Sequence, residues 1–343
     1  MIHTLLQERK LPELPKTREE MVQILAREEY GPVPPKPHSI DIAQRNTGAK
    51  YEHCSGHAMY SEYDITAHMD GFDFTFPVRC IFPKEHPEEG APAFVLINFR
   101  PEVPDWYFPA QEIADNGFAA ICVYYNEISA DVDDGYSTGV APDMIKTYGP
   151  TSKISMWAWA CSCALDFALT RSDIDPNRIA VIGHSRLGKT ALWAGANDER
   201  FSAVISNDSG CSGAAISRGK VGESIERISR VFPHWFNEKY KEYGNREYEA
   251  PFDQHFLLAS IAPRKLCVGS ASEDTWADPV SEYLCCCAVS HVWEQMGKPG
   301  FIHPDRLPVP GDAFQQGSIS YHQTDGTHYL GRADWNRYMD FLR

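Results

Sequence analysis

The sequence predicts an α/β fold in which a mostly parallel sheet carries helices on both faces. From about residue 91, short apolar runs typical of strands buried on both faces alternate with longer apolar segments of helical length. The chain has 343 residues, of which 43% are hydrophobic, so it contains enough apolar surface for one large core. Such alternation is typical of parallel strands joined by right-handed helical connections.

The N-terminal part of the chain is predicted to form a helix and two strands. The helix spans residues 18–29 and ends at Tyr30-Gly31-Pro32, because glycine and proline stop a helix. Residues 58–67 and 72–82 alternate in polarity or run apolar, which indicates strands. An N-terminal extension, about residues 1–57, therefore precedes the main alternation.

The central and C-terminal parts are predicted to alternate between strand and helix. Segment 131–150 is rich in Gly and Asp and is expected to be a long loop of the kind that often carries function. Segment 211–262 interrupts the pattern and is expected to be a cap-like insertion over the carboxyl edge of the sheet, where open α/β sheets bind ligands. The whole chain, 1–343, is predicted to be one domain. The predicted strands are 94–99, 119–125, 178–183, 201–206 and 265–270, and the predicted helices are 106–116, 154–170, 187–196, 280–296 and 335–342.

Charge and composition exclude several classes of partner. The net charge of −15 argues against nucleic acid, which requires clustered Lys and Arg. No run approaches the roughly 18 apolar residues of a membrane span, and residues 1–14 lack the apolar core of a signal peptide. The ten cysteines show neither zinc-ligand spacing nor a CxxC pair. We therefore expect reduced thiols, a cytoplasmic location, and no membrane, metal or cofactor.

The segment from Ile179 to Thr190 carries the main chemical signal. An apolar strand runs into Gly183-His184-Ser185, and a helix follows, which is the context of a nucleophile elbow in an α/β-hydrolase. The turn lifts the Ser185 hydroxyl off the sheet edge. The backbone N–H of the next residue, Arg186, then faces the position of a developing oxyanion. Leu187 stands where the usual G-x-S-x-G pattern has its second glycine, and Gly188 follows.

The same segment also matches a phosphate-binding loop. Gly183 to Thr190 fits G-x-x-x-x-G-K-[ST], and Asp208 follows the next predicted strand, as a Mg²⁺-binding Asp would. However, the four residues between the glycines are bulky for a loop that wraps phosphates. A serine hydrolase is therefore favoured over a nucleotide-binding protein. A catalytically inactive, carbohydrate-binding hydrolase fold remains a further alternative.

A serine hydrolase of this fold needs an acid and then a histidine after its nucleophile. His328 lies in a turn-rich loop before the last predicted helix and is the favoured base, and His322 is the second candidate. Two acids follow predicted strands, Asp208 and Asp274, and the sequence leaves the choice between them open. Asp278 stands before a proline and is expected to cap a helix.

The stretch from Gly183 to Lys189 resembles the G-x-S-R-x-G-[KR] signature of glucuronoyl esterases, carbohydrate esterase family 15. The resemblance covers the chain from about residue 20 to its end and is better with the bacterial branch than with the fungal branch. It also accounts for a second glycine at Gly188. The other blocks that agree are Tyr30-Gly-Pro-Val-Pro-Pro35, Trp157-Ala-Trp-Ala, Asn207-Asp-Ser-Gly, Phe232-Pro-His-Trp-Phe236 and Trp276-Ala-Asp-Pro279.

The resemblance implies a substrate and several residue roles. Such enzymes cleave the ester between 4-O-methyl-glucuronic acid on xylan and lignin alcohols, so the expected partner is a small-molecule or oligosaccharide ester. Arg186 would add its guanidinium to the oxyanion site, and Lys189 would bind sugar hydroxyls. Glu223 and Trp276 match positions that contact the uronate ring. The family's acid follows either strand, and we favour Asp274. An acetyl-xylan or other carbohydrate esterase with the same triad stays an alternative.

Overall fold

The computed structural model describes residues 1–45, the backbone of 52–53, and residues 56–343. Apolar segments of the chain form its strands and its core helices. The strands are β1 (Ser39–Gln44), β2 (Glu52–His53), β3 (Ala58–Met69), β4 (Phe72–Pro83), β5 (Ala91–Asn98), β6 (Ala119–Tyr124), β7 (Ile174–His184), β8 (Ala203–Asn207), β9 (Lys265–Ala271), β10 (Ala313–Phe314) and β11 (Ile319–Thr324). The helices are α1 (Ile2–Arg9), α2 (Arg18–Leu25), α3 (Ala110–Asp115), α4 (Tyr125–Ile128), α5 (Ala141–Tyr148), α6 (Lys153–Leu169), α7 (Arg186–Asn197), α8 (Ile225–Val231), α9 (His255–Ala259), α10 (Pro279–Gln295) and α11 (Arg332–Leu342).

One sheet runs through the described part of the chain. Its strand order is β1-β3-β4-β6-β5-β7-β8-β9-β11-β10, with β2 paired to β3. Six neighbouring strands, β6-β5-β7-β8-β9-β11, are mutually parallel. Strands β1, β3, β4 and β10 join the sheet through antiparallel pairs. Every residue of β5 is buried, as expected for a parallel strand covered on both faces. The predicted α/β class and its mostly parallel sheet are confirmed.

Helices cover both faces of the sheet and create two hydrophobic cores. On one face, α3 and α11 pack against the central strands, and the Trp335 ring meets the Phe94 ring edge-on at 5.1 Å. On the other face lie α6, α7 and α10. Nearly all of α6 is buried, which is typical of a helix enclosed between a sheet and other helices. These layers place the carboxyl ends of β7, β8 and β9 side by side at one edge.

The structure corrects several predicted elements. The predicted loop 131–150 contains α5, which has a proline in its first turn and Gly149 at its end. Strand β11 was not predicted, because its side chains mix polarity even though its first five residues are buried beside β9. The first turn after α2 is a π-helix, Ala26–Tyr30, so the helical segment continues to the predicted Gly31 stop. Part of the predicted N-terminal extension, 46–51 and 54–55, lies outside the described residues.

The structure also bears on two expectations from composition, which concern membrane-spanning segments and cysteines. Among the described helices, none combines the length and the apolar character that crossing a bilayer requires. The described cysteines are all free, and all but Cys287 are buried. Buried free thiols of this kind act as small apolar side chains.

Candidate active site

Ser185 lies on the sharp turn between β7 and α7. Its backbone has φ 58° and ψ −127°, a conformation that residues other than glycine rarely adopt. The Ser185 N–H donates to the carbonyl of Asn207 at 2.8 Å, which ties the turn to the end of β8. The predicted strand–turn–helix context of a nucleophile elbow is therefore present.

Two glycines allow this turn to pack closely. A Cβ atom on Gly183 would lie 2.1 Å from the carbonyl oxygen of Leu187, so any side chain there would displace the turn. A Cβ on Gly188 would lie 3.0 Å from Cβ of Ser209, which explains why the second glycine stands one place later than usual. Because α7 already begins at Arg186, the segment contains no loop that could surround a phosphate. The phosphate-binding alternative is wrong.

His328 and Asp274 form a hydrogen-bonded pair. Nδ1 of His328 donates to Oδ2 of Asp274 at 2.6 Å, and the N–H of Ala277 donates to the other carboxylate oxygen at 3.1 Å. Burial opposes ionisation of Asp274, but the contacts with His328 and the hydrogen bond from the Ala277 N–H together lower the pKa of this carboxyl. The His328 side chain is 43% exposed, so its second ring nitrogen remains accessible from the cavity. The arrangement orients a histidine for general-base chemistry.

Asp208 has a different environment from Asp274. Its carboxylate accepts from the N–H of Ala271 at 2.7 Å, from Asn207 Nδ2 at 2.9 Å and from the N–H of Tyr329 at 3.3 Å. Burial, together with the nearby charges of Glu282 and Asp274, raises the pKa of Asp208 well above its ordinary value. Asp208 therefore fastens the ends of β8 and β9 to the loop that carries His328. Of the two acids that the sequence left open, Asp274 is the one that contacts the histidine.

Two other histidines lie near the site. His322, the second candidate base, is fully buried in β11 and contacts Asp334 at 2.9 Å, so it does not line the cavity. His184 is also buried, and burial together with the nearby His328 lowers its pKa to about 3. Its ring centre lies 4.5 Å from that of His328. His184 therefore remains neutral beside the candidate base at ordinary pH.

Arg186 is held between aromatic rings and a carboxylate. The guanidinium carbon lies 4.6 Å from the Trp235 ring centre, 5.4 Å from that of Phe232 and 5.6 Å from that of Phe99. Its Nη1 donates to Asp131. Its Nε is buried and has no hydrogen-bond partner among the described residues.

Ser185, Arg186, Asp274 and His328 line one cavity of about 340 Å³, together with all three residues that the resemblance assigned to the sugar. Nζ of Lys189 is buried, donates to the Ser209 carbonyl at 2.6 Å and lies 3.7 Å from Glu223. Trp276 is 49% exposed at the mouth. The volume is at the small end of the roughly 300–1,000 Å³ of ligand pockets, which suits one sugar ring. Larger cavities of about 620 and 430 Å³ lie elsewhere and contain none of these residues.

The sequence did not single out Asp131 or assign roles to Phe232 and Trp235. Phe232 and Trp235 stack in parallel with ring centres 3.9 Å apart and form the cavity wall that the insertion supplies. The aromatic-rich segment 232–236 that contains them was a usable signal, because aromatic side chains commonly line ligand sites. Asp131 had no such signal, since nothing in its local sequence indicates that it reaches Arg186.

A family model described as "Glucuronyl esterase, fungi" matches residues 65–297. The chain belongs to the glucuronoyl esterase family. It is 40% identical over 231 residues to a carbohydrate esterase of an unknown prokaryotic organism, a match covering 66% of this chain and 53% of that one. It is 28% identical over 290 residues to a 4-O-methyl-glucuronoyl methylesterase of Podospora anserina, covering 81% and 55%. The higher identity to the prokaryotic relative agrees with the bacterial branch of carbohydrate esterase family 15.

A solved family structure extends over almost the whole chain. The glucuronoyl esterase from Solibacter usitatus superposes with a TM-score of 0.86 at 32% identity, covering 96% of this chain and 92% of that one. The α/β-hydrolase fold is thereby established for the chain. The chain spans about half the length of the two curated relatives described above.

Proposed function

We propose that this protein hydrolyses carbohydrate carboxylic esters, with 4-O-methyl-glucuronoyl esters as its substrates. The observation that carries the proposal is that the hydrogen-bonded His328–Asp274 pair lines the same small cavity as Ser185 on its elbow. Family membership supports the ester chemistry, and the name of the Podospora anserina relative supports the uronate.

The mechanism is a two-step acyl transfer. His328 takes the Ser185 proton as the hydroxyl attacks the ester carbonyl, while Asp274 holds the imidazole in the tautomer that leaves its second nitrogen free. His328 then returns the proton to the departing alcohol. In the second step, His328 deprotonates a water molecule, which attacks the acyl carbonyl. The bond between that carbonyl and Ser185 Oγ then breaks, His328 returns the proton to the serine oxygen, and the uronic acid is released.

Arg186 and the first N–H groups of α7 are proposed to stabilise the oxyanion in both steps. The first turn of a helix has backbone N–H groups without intrahelical partners, and the buried Nε of Arg186 is likewise unpaired. One such donor contributes about 3 kcal/mol to transition-state stabilisation in known cases. Donors that are already oriented need no rearrangement when the charge develops.

The sugar half of the ester is proposed to bind in the cavity against four of its lining residues, Lys189, Glu223, Trp235 and Trp276. Buried Lys189 and Glu223 can pair with hydroxyl groups, and the aromatic rings can cover the apolar face of a pyranose. An acetyl-xylan ester carries its sugar on the alcohol side, so in that alternative only a two-carbon acyl group would lie on the acyl side of the 340 Å³ cavity.

The test compares hydrolysis of benzyl glucuronate with that of 4-nitrophenyl acetate by wild type and Ser185→Ala. A strong preference for the glucuronate, lost in the variant, is the expected result. Cleavage of 4-nitrophenyl acetate alone would support the acetyl-esterase alternative instead. If neither ester reacts, labelling of Ser185 by a fluorophosphonate separates an active serine with another substrate from an inactive binding protein. Activity that persists in Ser185→Ala would overturn the mechanism.

A further inference from the structure

The carboxylate of Asp131 binds four donors from three separate parts of the chain. Oδ1 accepts from Nε2 of His234 at 2.9 Å and from Nε1 of Trp235 at 2.6 Å. Oδ2 accepts from Arg186 and from the hydroxyl of Tyr125 at 3.2 Å. The elbow, the insertion 211–262 and the first residue of α4 therefore meet at one buried side chain.

Asp131 is charged throughout the working pH range. Burial alone would raise its pKa, but hydrogen bonds from His234 and Trp235 and the charge of Arg186 lower it to about 2. The side chain is only 6% exposed, so water screens its attraction to Arg186 weakly. A charged, saturated carboxylate of this kind fixes the positions of its donors.

We propose that Asp131 is a positioning residue that holds the Arg186 guanidinium at the oxyanion side of Ser185 and fastens it to the insertion. The inference rests on the proposed function, in which Arg186 stabilises the oxyanion. Trp235 is at once a wall of the sugar cavity and a donor to Asp131, so the sugar wall and the oxyanion donor share one anchor. Asp131 acts through Arg186 and does not itself line the cavity.

The loop around Asp131 is held independently of its carboxylate. Buried Lys153 donates to the carbonyls of Ala130 and Val132, one on each side of Asp131, and to Asp134 at 2.7 Å. The backbone N–H of Asp131 donates to Asn126 at 2.8 Å. Replacement of Asp131 by Asn therefore removes a charge without removing the contacts that shape the loop.

The test is a double-mutant cycle with Asp131→Asn, Arg186→Met and the double variant. Asp131→Asn alone should lower kcat for benzyl glucuronate roughly 10- to 100-fold and change KM less than about 3-fold. In the Arg186→Met background the same substitution should change kcat less than about 2-fold. Equal factors in the two backgrounds would show that Asp131 does not act through Arg186 and would overturn the proposal.

Asp134→Asn is the matched control, because Asp134 lies on the same loop but pairs with Lys153 rather than Arg186. A loss of kcat as large as that of Asp131→Asn would indicate general disruption of the loop, against the proposal. If thermal melting shows that Asp131→Asn is unfolded, Tyr125→Phe replaces it in the cycle. That variant deletes one donor without changing charge and should lower kcat roughly 2- to 5-fold, again only when Arg186 is present.

A second readout keeps this inference separate from the substrate assignment. The rate constant for fluorophosphonate labelling of Ser185 depends on the oxyanion site but needs no sugar, so the same cycle is measured with it. If wild type is labelled but does not cleave the glucuronate, the proposed substrate fails while the labelling cycle still decides the role of Asp131. If Ser185 is not labelled at all, both the mechanism and this inference are overturned.

Discussion

Nδ1 of His328 lies 2.6 Å from Oδ2 of Asp274, although 54 positions separate the two residues in the chain. Asp208 follows strand β8, which lies beside the strand β9 that precedes Asp274. Its oxygens accept from N–H groups of Ala271, Asn207 and Tyr329 and not from His328. We therefore expect substitution of the two acids to have different effects on catalysis.

Asp274→Asn should lower kcat by roughly 10³- to 10⁴-fold, because an amide cannot hold the histidine in its productive tautomer. Asp208→Asn should lower kcat less than about 10-fold, because the Asp208 carboxylate contacts N–H groups of the scaffold and not the histidine. Steady-state kinetics on benzyl glucuronate measure both variants, with thermal melting as the folding control. A larger loss in Asp208→Asn than in Asp274→Asn would reverse the assignment.

Trp276→Ala should raise KM for benzyl glucuronate about 10-fold, which corresponds to about 1.4 kcal/mol, and leave KM for 4-nitrophenyl acetate nearly unchanged. Trp276 lines the cavity on the side proposed for the sugar, which an acetyl group would not reach. The matched control is Trp106→Ala, since Trp106 is 67% exposed and does not line the cavity. Similar KM changes for both esters in Trp276→Ala would argue against its contact with the sugar.

Removal of metal ions should leave the esterase activity unchanged, since every step assigned above uses only protein groups and water. Added Zn²⁺ should inhibit, because ligand atoms of His184, Asp208 and His328 lie within 4.8 Å of one another and zinc would occupy the lone pair that His328 needs. Activity after dialysis against EDTA and after zinc addition measures both effects.

His68→Gln is the control for zinc bound elsewhere. His68 lies within 3.0 Å of Asp41 and Asp73 on the surface of the sheet, far along the chain from the cavity residues. Zinc inhibition should be unaltered in this variant. Loss of activity on EDTA treatment, restored by metal, would contradict the metal-independent mechanism.

Glu29 should make the protein less stable as pH rises. Its carboxyl is fully buried, and burial raises its pKa to about 8 from an ordinary 4.5 despite hydrogen bonds from Gln254. Between these two values the folded state keeps a proton that the unfolded state has lost. The free energy of unfolding contributed by this group is therefore full below pH 4.5 and falls as pH rises to about 8.

Chemical denaturation of wild type and Glu29→Gln at pH 5 and pH 9 measures this effect. Wild type should lose up to about 5 kcal/mol more than the variant across that interval, because glutamine stays neutral. Subtracting the variant removes the parallel contribution of Glu282, whose pKa burial raises to about 7. Equal losses in both proteins would mean that Glu29 is ionised in the folded state.

Patterns within a few residues of one another were read correctly from the sequence. The strand–turn–helix around Ser185 and the helix cap at Asp278 depend on neighbouring residues, and both are confirmed. Asp278 also accepts from the N–H of Val221, which ties the insertion to the start of α10. The cytoplasmic location, in contrast, stays a prediction.

Features that depend on distant residues were missed or left open. Strand β11 is buried because β9 pairs with it, and its mixed sequence does not indicate that neighbour. Asp208 and Asp274 both follow strands that end at the same edge, so the sequence could not show which carboxyl turns toward His328. Asp131 reaches Arg186 across 55 positions and has no local pattern that predicts the contact.

The sequence by itself determined the α/β layers, the elbow serine, the favoured histidine and the family resemblance. Each of these depends on local polarity, turn chemistry or a short run of residues. The tertiary structure decided which acid meets the histidine and which carboxylate holds Arg186. Those contacts form only when the carboxyl ends of β7, β8 and β9 and the insertion come together, because burial and hydrogen-bond geometry choose among residues that are chemically equivalent in the unfolded chain.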